Sequence, residues 1–99
     1  MKIKIHSIHF NADKKLLDYI QEKVDRLLLF YEHIIDGEVF LKLNKANGSE
    51  NKIVEIKVNA PGKTLFSKEQ KSTFEEATNK AFESLAKQVK KHKQKVRGL

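Results

Sequence analysis

The chain has 99 residues, 39% of them hydrophobic, with six Phe, no Cys and a formal net charge of +7. That length suits one domain with a single modest core, and the apolar content argues for folding rather than disorder. The absence of cysteine excludes a disulfide framework and a thiolate nucleophile. The opening MKIKIHSIHF is basic but has only a broken apolar run, and no apolar span of roughly 18 residues occurs, so a soluble intracellular protein without a membrane span is expected. Charge is distributed unevenly. Met1 to Ala60 carries ten basic and nine acidic groups, whereas Pro61 to Leu99 carries ten basic and four acidic. A polyanionic partner met mainly through the C-terminal segment is the reading this suggests, against the blander one of a solubilised surface.

Lys2 to Ile5 alternates polar and apolar, which places Ile3 and Ile5 on one side of a short strand. The phase then shifts, because Ile8 and Phe10 fall on even positions. Either a bulge sits near Ser7, or the strand ends there and Phe10 folds back over the core; the second is preferred because a helix follows at once. Asn11 or Asp13 caps that helix, and Leu17, Ile20, Val24, Leu27, Leu28 and Tyr31 give it a stripe of roughly five turns. Lys23 and Arg26 lie beside the stripe, free to reach solvent or a ligand.

His33 to Gly37 reads as a connection with Asp36-Gly37 as its turn signal. A second strand, Glu38 to Leu43, puts Val39, Leu41 and Leu43 on one face. The polar stretch Asn44 to Asn51 contains Asn47-Gly48, the strongest hairpin dipeptide in the chain. The third strand, Lys52 to Val58, turns Val54, Ile56 and Val58 inward. Asn59-Ala60-Pro61-Gly62 is a tight turn, with Pro61 fixing φ and Gly62 taking a left-handed position. A fourth strand runs from Lys63 to Ser67 or a little beyond, and Lys68 to Lys71 links it to the last helix. Phe40 and Phe66 break the alternation and form a patch on the open face only if the register brings them together.

The last helix starts at Ser72 or Thr73, each with a Glu three residues on to close a capping box. Phe74, Ala77, Thr78, Ala81, Leu85, Val89 and Val96 form one apolar stripe. Lys87 and Lys91 fall within about 20° of Lys80 on the opposite side, with Lys95 about 60° away. Gly98 is a plausible stop. From Leu85 onward there are six formal positive charges (Lys87, Lys90, Lys91, Lys93, Lys95 and Arg97) and no acid. Cations suit a helix C-terminus, but dipole chemistry accounts for one or two, not six.

The order β-α-β-β-β-α, with one apolar stripe per helix and one apolar face per strand, implies an α+β fold. Its economical form is a two-layer sandwich, a four-stranded mixed sheet with both helices on one face. No catalytic constellation emerges: Glu75 and Glu76 serve as caps, no serine has a histidine–acid arrangement, and no Gly-rich phosphate loop occurs. The chain does not read as an enzyme, and neither a metal nor a cofactor is expected. His6, His9, His33 and His92 are scattered, and the H-x-x-H pair faces opposite ways on a strand. Small residues in the middle of the last helix suit packing on a sheet better than a membrane surface or a coiled-coil seam. Lysines along one helix suit a phosphate backbone, by shape rather than by base stacking.

In order and spacing, MKIKIH, YIQEKVDRL (Tyr19–Leu27), VFLKLNK (Val39–Lys45), APGKTLF (Ala60–Phe66) and TFEEATNKAFESLAKQVKKHKQK (Thr73–Lys95) resemble the ribosome hibernation promoting factors. These are also known as ribosome-associated inhibitors or sigma-54 modulation proteins. The resemblance covers essentially the whole chain and implies the same sandwich as one ribosome-binding domain, residues 1–99, in a short form of the family. It implies a cytoplasmic, ribosome-associated protein that is monomeric when free. Such a protein binds the small ribosomal subunit and its 16S rRNA in the messenger and transfer RNA channel and blocks translation during starvation or stationary phase. Short forms generally act with a separate ribosome-dimerisation factor. By position, the rRNA-facing residues are Lys87, Lys90, Lys91, Lys93 and Lys95, with Lys23 and Arg26 in the first helix; Lys80 and Arg97 complete the basic set. Ser7 and Ile8 depart from the family, in which many members carry a glycine and then a basic residue. The rival readings are a general structured-RNA-binding module and a protein-interaction domain with an acidic partner.

Overall fold

Strands of alternating polarity assemble into one four-stranded sheet, and the two amphipathic helices cover its apolar side. The computed structural model describes residues 2–46 and 48–96. Its elements are β1 (Lys2–Ser7), α1 (Lys14–Asp25), a 3₁₀ turn (Arg26–Leu29), β2 (Asp36–Leu43), β3 (Lys52–Ala60), β4 (Lys63–Lys71) and α2 (Phe74–Val96). The strands stand in chain order, β1 parallel to β2 and the remaining pairs antiparallel. This is the expected two-layer β-α-β-β-β-α arrangement.

The inward residues Val39, Leu41, Val54, Ile56, Val58 and Leu65 share one core with Leu16, Ile20 and Val24 of α1. From α2 come Phe74, Ala77, Ala81, Leu85 and Val89. Burying a side chain such as Leu85 contributes about 1.5–3 kcal/mol, so the stripe explains both why α2 is a helix and where it docks. Alanines at the centre of the stripe let its backbone approach the sheet.

β1 ends at Ser7, as preferred from the phase shift. Ile8 N donates to the Leu41 carbonyl at 2.9 Å, and His9 takes φ 66°, a left-handed conformation that reverses the chain. Phe10 then stacks on Phe74, with centroids 5.1 Å apart. Asp13 caps α1, its carboxylate accepting from Leu16 N at 2.8 Å.

Several boundaries differ from the sequence reading. α1 has 12 residues and tightens into the 3₁₀ turn, shorter than five helical turns, and it buries Leu16 while Leu17 is half-buried. Asp36-Gly37 is not a turn but the start of β2: Gly37 pairs with Ile3 and Val58, and Asp36 accepts from the Asn59 amide at 2.6 Å. β4 continues to Lys71, since pairing with β3 persists to Lys52↔Lys71. Its Ser67 is inward and buried. Phe40 and Phe66 do not meet. Phe40 pairs with Glu55 and Phe66 with Lys57, which puts them diagonally across β3, and Phe40 stacks on His6 instead, at 4.9 Å. The loop 44–51 is closed by Asn44 N donating to the Asn51 carbonyl at 2.9 Å. Asn47 of the hairpin dipeptide lies outside the described residues, as do Arg97 and Gly98, and the Val96 side chain is likewise not described.

Candidate nucleic-acid interface

The site grows out of α2, whose register is set at its start. Thr73 Oγ1 accepts from Glu76 N at 3.1 Å, so Thr73 rather than Ser72 is the cap, and Glu75 and Glu76 occupy the first turn. With that register the stripe from Phe74 to Val89 is buried, joined by Ala86 and His92. Lys80, Lys87, Lys90, Lys91 and Lys95 are exposed.

Exposure does not make these cations equivalent. Lys80 Nζ lies 3.6 Å from Glu83, one turn along the helix. Lys90 Nζ sits over the Phe30 ring, 4.6 Å from its centroid. Lys93 is half-buried in the wall of a hollow formed by residues 28–33. At the start of the 3₁₀ turn, Arg26 pairs with Glu22 of α1 at 2.9 Å. Lys23 is half-buried and partnered: its Nζ donates to Asn79 Oδ1 at 3.3 Å and lies over the rings of Tyr19 and Phe82, at 5.7 and 5.5 Å. Among the described residues, Lys87, Lys91 and Lys95 have no carboxylate within ion-pair distance.

Thus Lys87, Lys91 and Lys95 form a row along one side of a helix, each about one turn from the next. Their charge is uncompensated locally, so it acts outward. Sequence reasoning missed Lys63, which stands at the start of β4 and lines the same cleft as Lys91 and Lys95. The only signal in the sequence was topological: a strand that starts at a tight turn and returns through an antiparallel helix brings its first residue beside that helix's last turns.

The open face of the sheet is different in kind. There Glu55 accepts from Lys42 Nζ at 3.0 Å and lies 3.9 Å from Lys68, while His6 Nε2 lies 3.0 Å from Glu38. Opposite charges on neighbouring strands face one another, as cross-strand pairing favours. Phe66, 49% exposed, lies on this face, as does the half-buried Phe40. Among the described residues no group of three or more His, Asp or Glu side chains is arranged to hold a metal ion, and no helix is long and apolar enough to cross a membrane.

Fold and site together define a two-layer α+β module with one strongly basic helical side. The family model described as Sigma 54 modulation protein / S30EA ribosomal protein matches residues 3–97, and the chain belongs to that family. The family comprises ribosome-associated modulation factors, not enzymes. The ribosome hibernation promoting factor of Pseudomonas putida is 26% identical over 99 residues, covering 100% of this chain and 93% of that protein. The ribosome hibernation promotion factor of Bacillus subtilis is 27% identical over 96 residues, which is 97% of this chain; the chain spans 50% of that relative's length. Among solved structures, the Protein Y N-terminal domain of Thermus thermophilus matches with a TM-score of 0.83 at 25% identity, covering 93% of this chain and 99% of the other. A ribosomal subunit interface protein from Coxiella burnetii matches in fold, with a TM-score of 0.84 at 20% identity, covering 94% and 98%.

Proposed function

We propose that this chain is a ribosome hibernation factor. In this reading residues 1–99 act as one ribosome-binding domain, monomeric when free. It seats against 16S rRNA of the small subunit in the channel that messenger and transfer RNA occupy, and so silences translation in starved cells. The protein is then cytoplasmic because its partner is. Family membership and the relatives' names support association with ribosomes. The observation that carries the reading is the row Lys87, Lys91 and Lys95, partnerless among the described residues and backed by a helix that cannot shift without exposing Leu85 and Val89.

The mechanism needs no chemistry beyond occupancy. Lysines bind phosphates as point charges and release condensed counterions, which positions the protein without reading sequence. A rigid body held in this way excludes tRNA and mRNA sterically. Lys80, Lys90, Lys23, Arg26, Lys93 and Arg97 complete the proposed rRNA-facing set, the first four after exchanging the partners they hold in the free protein.

Cosedimentation with separated ribosomal subunits tests this. Saturable one-to-one binding to the small subunit is expected, weakened at about 0.5 M salt and competed by tRNA. Equal binding to both subunits and to free RNA would reduce the protein to a general structured-RNA binder. No binding to either would favour an acidic protein partner. Adding a candidate ribosome-dimerisation factor to the small-subunit complex tests whether one acts alongside this chain.

A further inference from the structure

β4 stands last in the sheet order, so one of its sides has no neighbouring strand. In an antiparallel pair the main-chain groups of alternate residues point toward the partner and away from it. Ala60 and Lys63 face each other across the two-residue turn. The N–H and C=O groups of Thr64, Phe66, Lys68 and Gln70 therefore point to the free side. An edge of nine residues, Lys63–Lys71, is a template for a further strand. At its middle this edge is plugged. Gln88 of α2 reaches it: the Gln88 Nε2 donates to the Phe66 carbonyl at 2.9 Å and lies 3.3 Å from Ser84 Oγ.

We infer that the free edge of β4 is a pairing surface for a second copy of this chain, with Gln88 as the gate that holds it shut. The occupant follows from the residues. Edge-facing groups of two antiparallel β4 strands meet only when even-numbered positions stand opposite even-numbered ones, so successive registers centre on Phe66, Ser67 or Lys68. Centred on Phe66, which is 49% exposed, the pairing covers this ring with its own counterpart. It also sets Lys63 against Glu69 at both ends and Thr64 against Lys68. In the free protein neither Lys63 nor Glu69 has an ion-pair partner among the described residues. Centring on Ser67 sets Lys63 against Lys71, and centring on Lys68 sets that lysine against itself. Like charges directly opposite are destabilising, which leaves the Phe66 register. That register is isologous and closes at a dimer. Pairing requires the Gln88 amide to leave the Phe66 carbonyl, which keeps the free chain monomeric at ordinary concentration. The surface is a main-chain edge and lies beyond the ribosome reading.

Sedimentation equilibrium of the whole chain over a concentration series tests this. Gln88→Ala should reach a given dimer fraction at a concentration about 5- to 10-fold below that of the parent protein, because one hydrogen bond no longer has to be broken. Adding Glu69→Lys to Gln88→Ala sets lysine against lysine and should return the chain to a monomer. Adding Lys63→Glu to that pair restores opposite charges and should restore the dimer. Circular dichroism should give a native spectrum for every variant. A Gln88→Ala protein that associates no more tightly than the parent would overturn the proposal. So would a dimer that survives Glu69→Lys, or mass that grows past a dimer. No readout involves a ribosome, so the pairing surface and the ribosome reading fail separately.

Discussion

The Nζ of Lys90 lies 4.6 Å from the centre of the Phe30 ring, which ties α2 to the segment that follows α1. A cation over an aromatic face at an exposed site contributes about 0.5–1 kcal/mol. Lys90→Gln should therefore lower the free energy of unfolding by about that amount in a urea titration. Lys87→Gln, which removes an equal charge from a residue without a partner among the described residues, should change it by less than about 0.5 kcal/mol. Equal losses in the two variants would remove the distinction between structural and outward-facing lysines.

Replacing both Lys87 and Lys91 with Glu should leave the fold intact, because neither side chain enters the buried stripe. Circular dichroism should give a native spectrum. Small-subunit binding should be lost, since the row then repels phosphates. Retained binding would move the interface to another face.

Leu85 is fully buried between helix and sheet. Truncating it to Ala should cost about 2–5 kcal/mol, the transfer term plus a cavity that a sheet-packed helix cannot close. Equilibrium unfolding by urea measures this. A loss below about 1 kcal/mol would mean that α2 is not anchored there.

Gly62 has φ 77°, and a Cβ built on it meets no atom within 4 Å. Gly62→Ala is therefore free of clashes and is penalised by backbone conformation alone, by about 1–2 kcal/mol. A melting temperature at or above that of the parent protein would contradict the left-handed turn.

α2 was legible because its stripe, cap and lysine side all follow from helical spacing, and helical spacing is local. The layer order was legible for the same reason. What escaped the sequence depended on neighbours. Lys68 to Lys71 look like a linker until β3 supplies hydrogen bonds as far as Lys52, and Asp36-Gly37 looks like a turn until Asn59 and Val58 lie opposite. The basic set showed the same limit: Lys23 and Lys90 count as free charges on a helical wheel, and only tertiary packing brings Asn79, Phe82 and Phe30 to them. Lys63 lies 28 positions before Lys91, so no periodicity links them.

The paired charges of the open sheet face have a kinetic consequence. Where Glu55 lies between Lys42 and Lys68 its carboxylate offsets part of the field of the two ammonium groups, while Lys87, Lys91 and Lys95 of α2, with no carboxylate within ion-pair distance among the described residues, project theirs into solvent. The molecule is in effect a compass needle with its positive pole along one helix. Near a polyanion it experiences a torque before contact and arrives helix first, so a larger share of its collisions begins in a productive orientation.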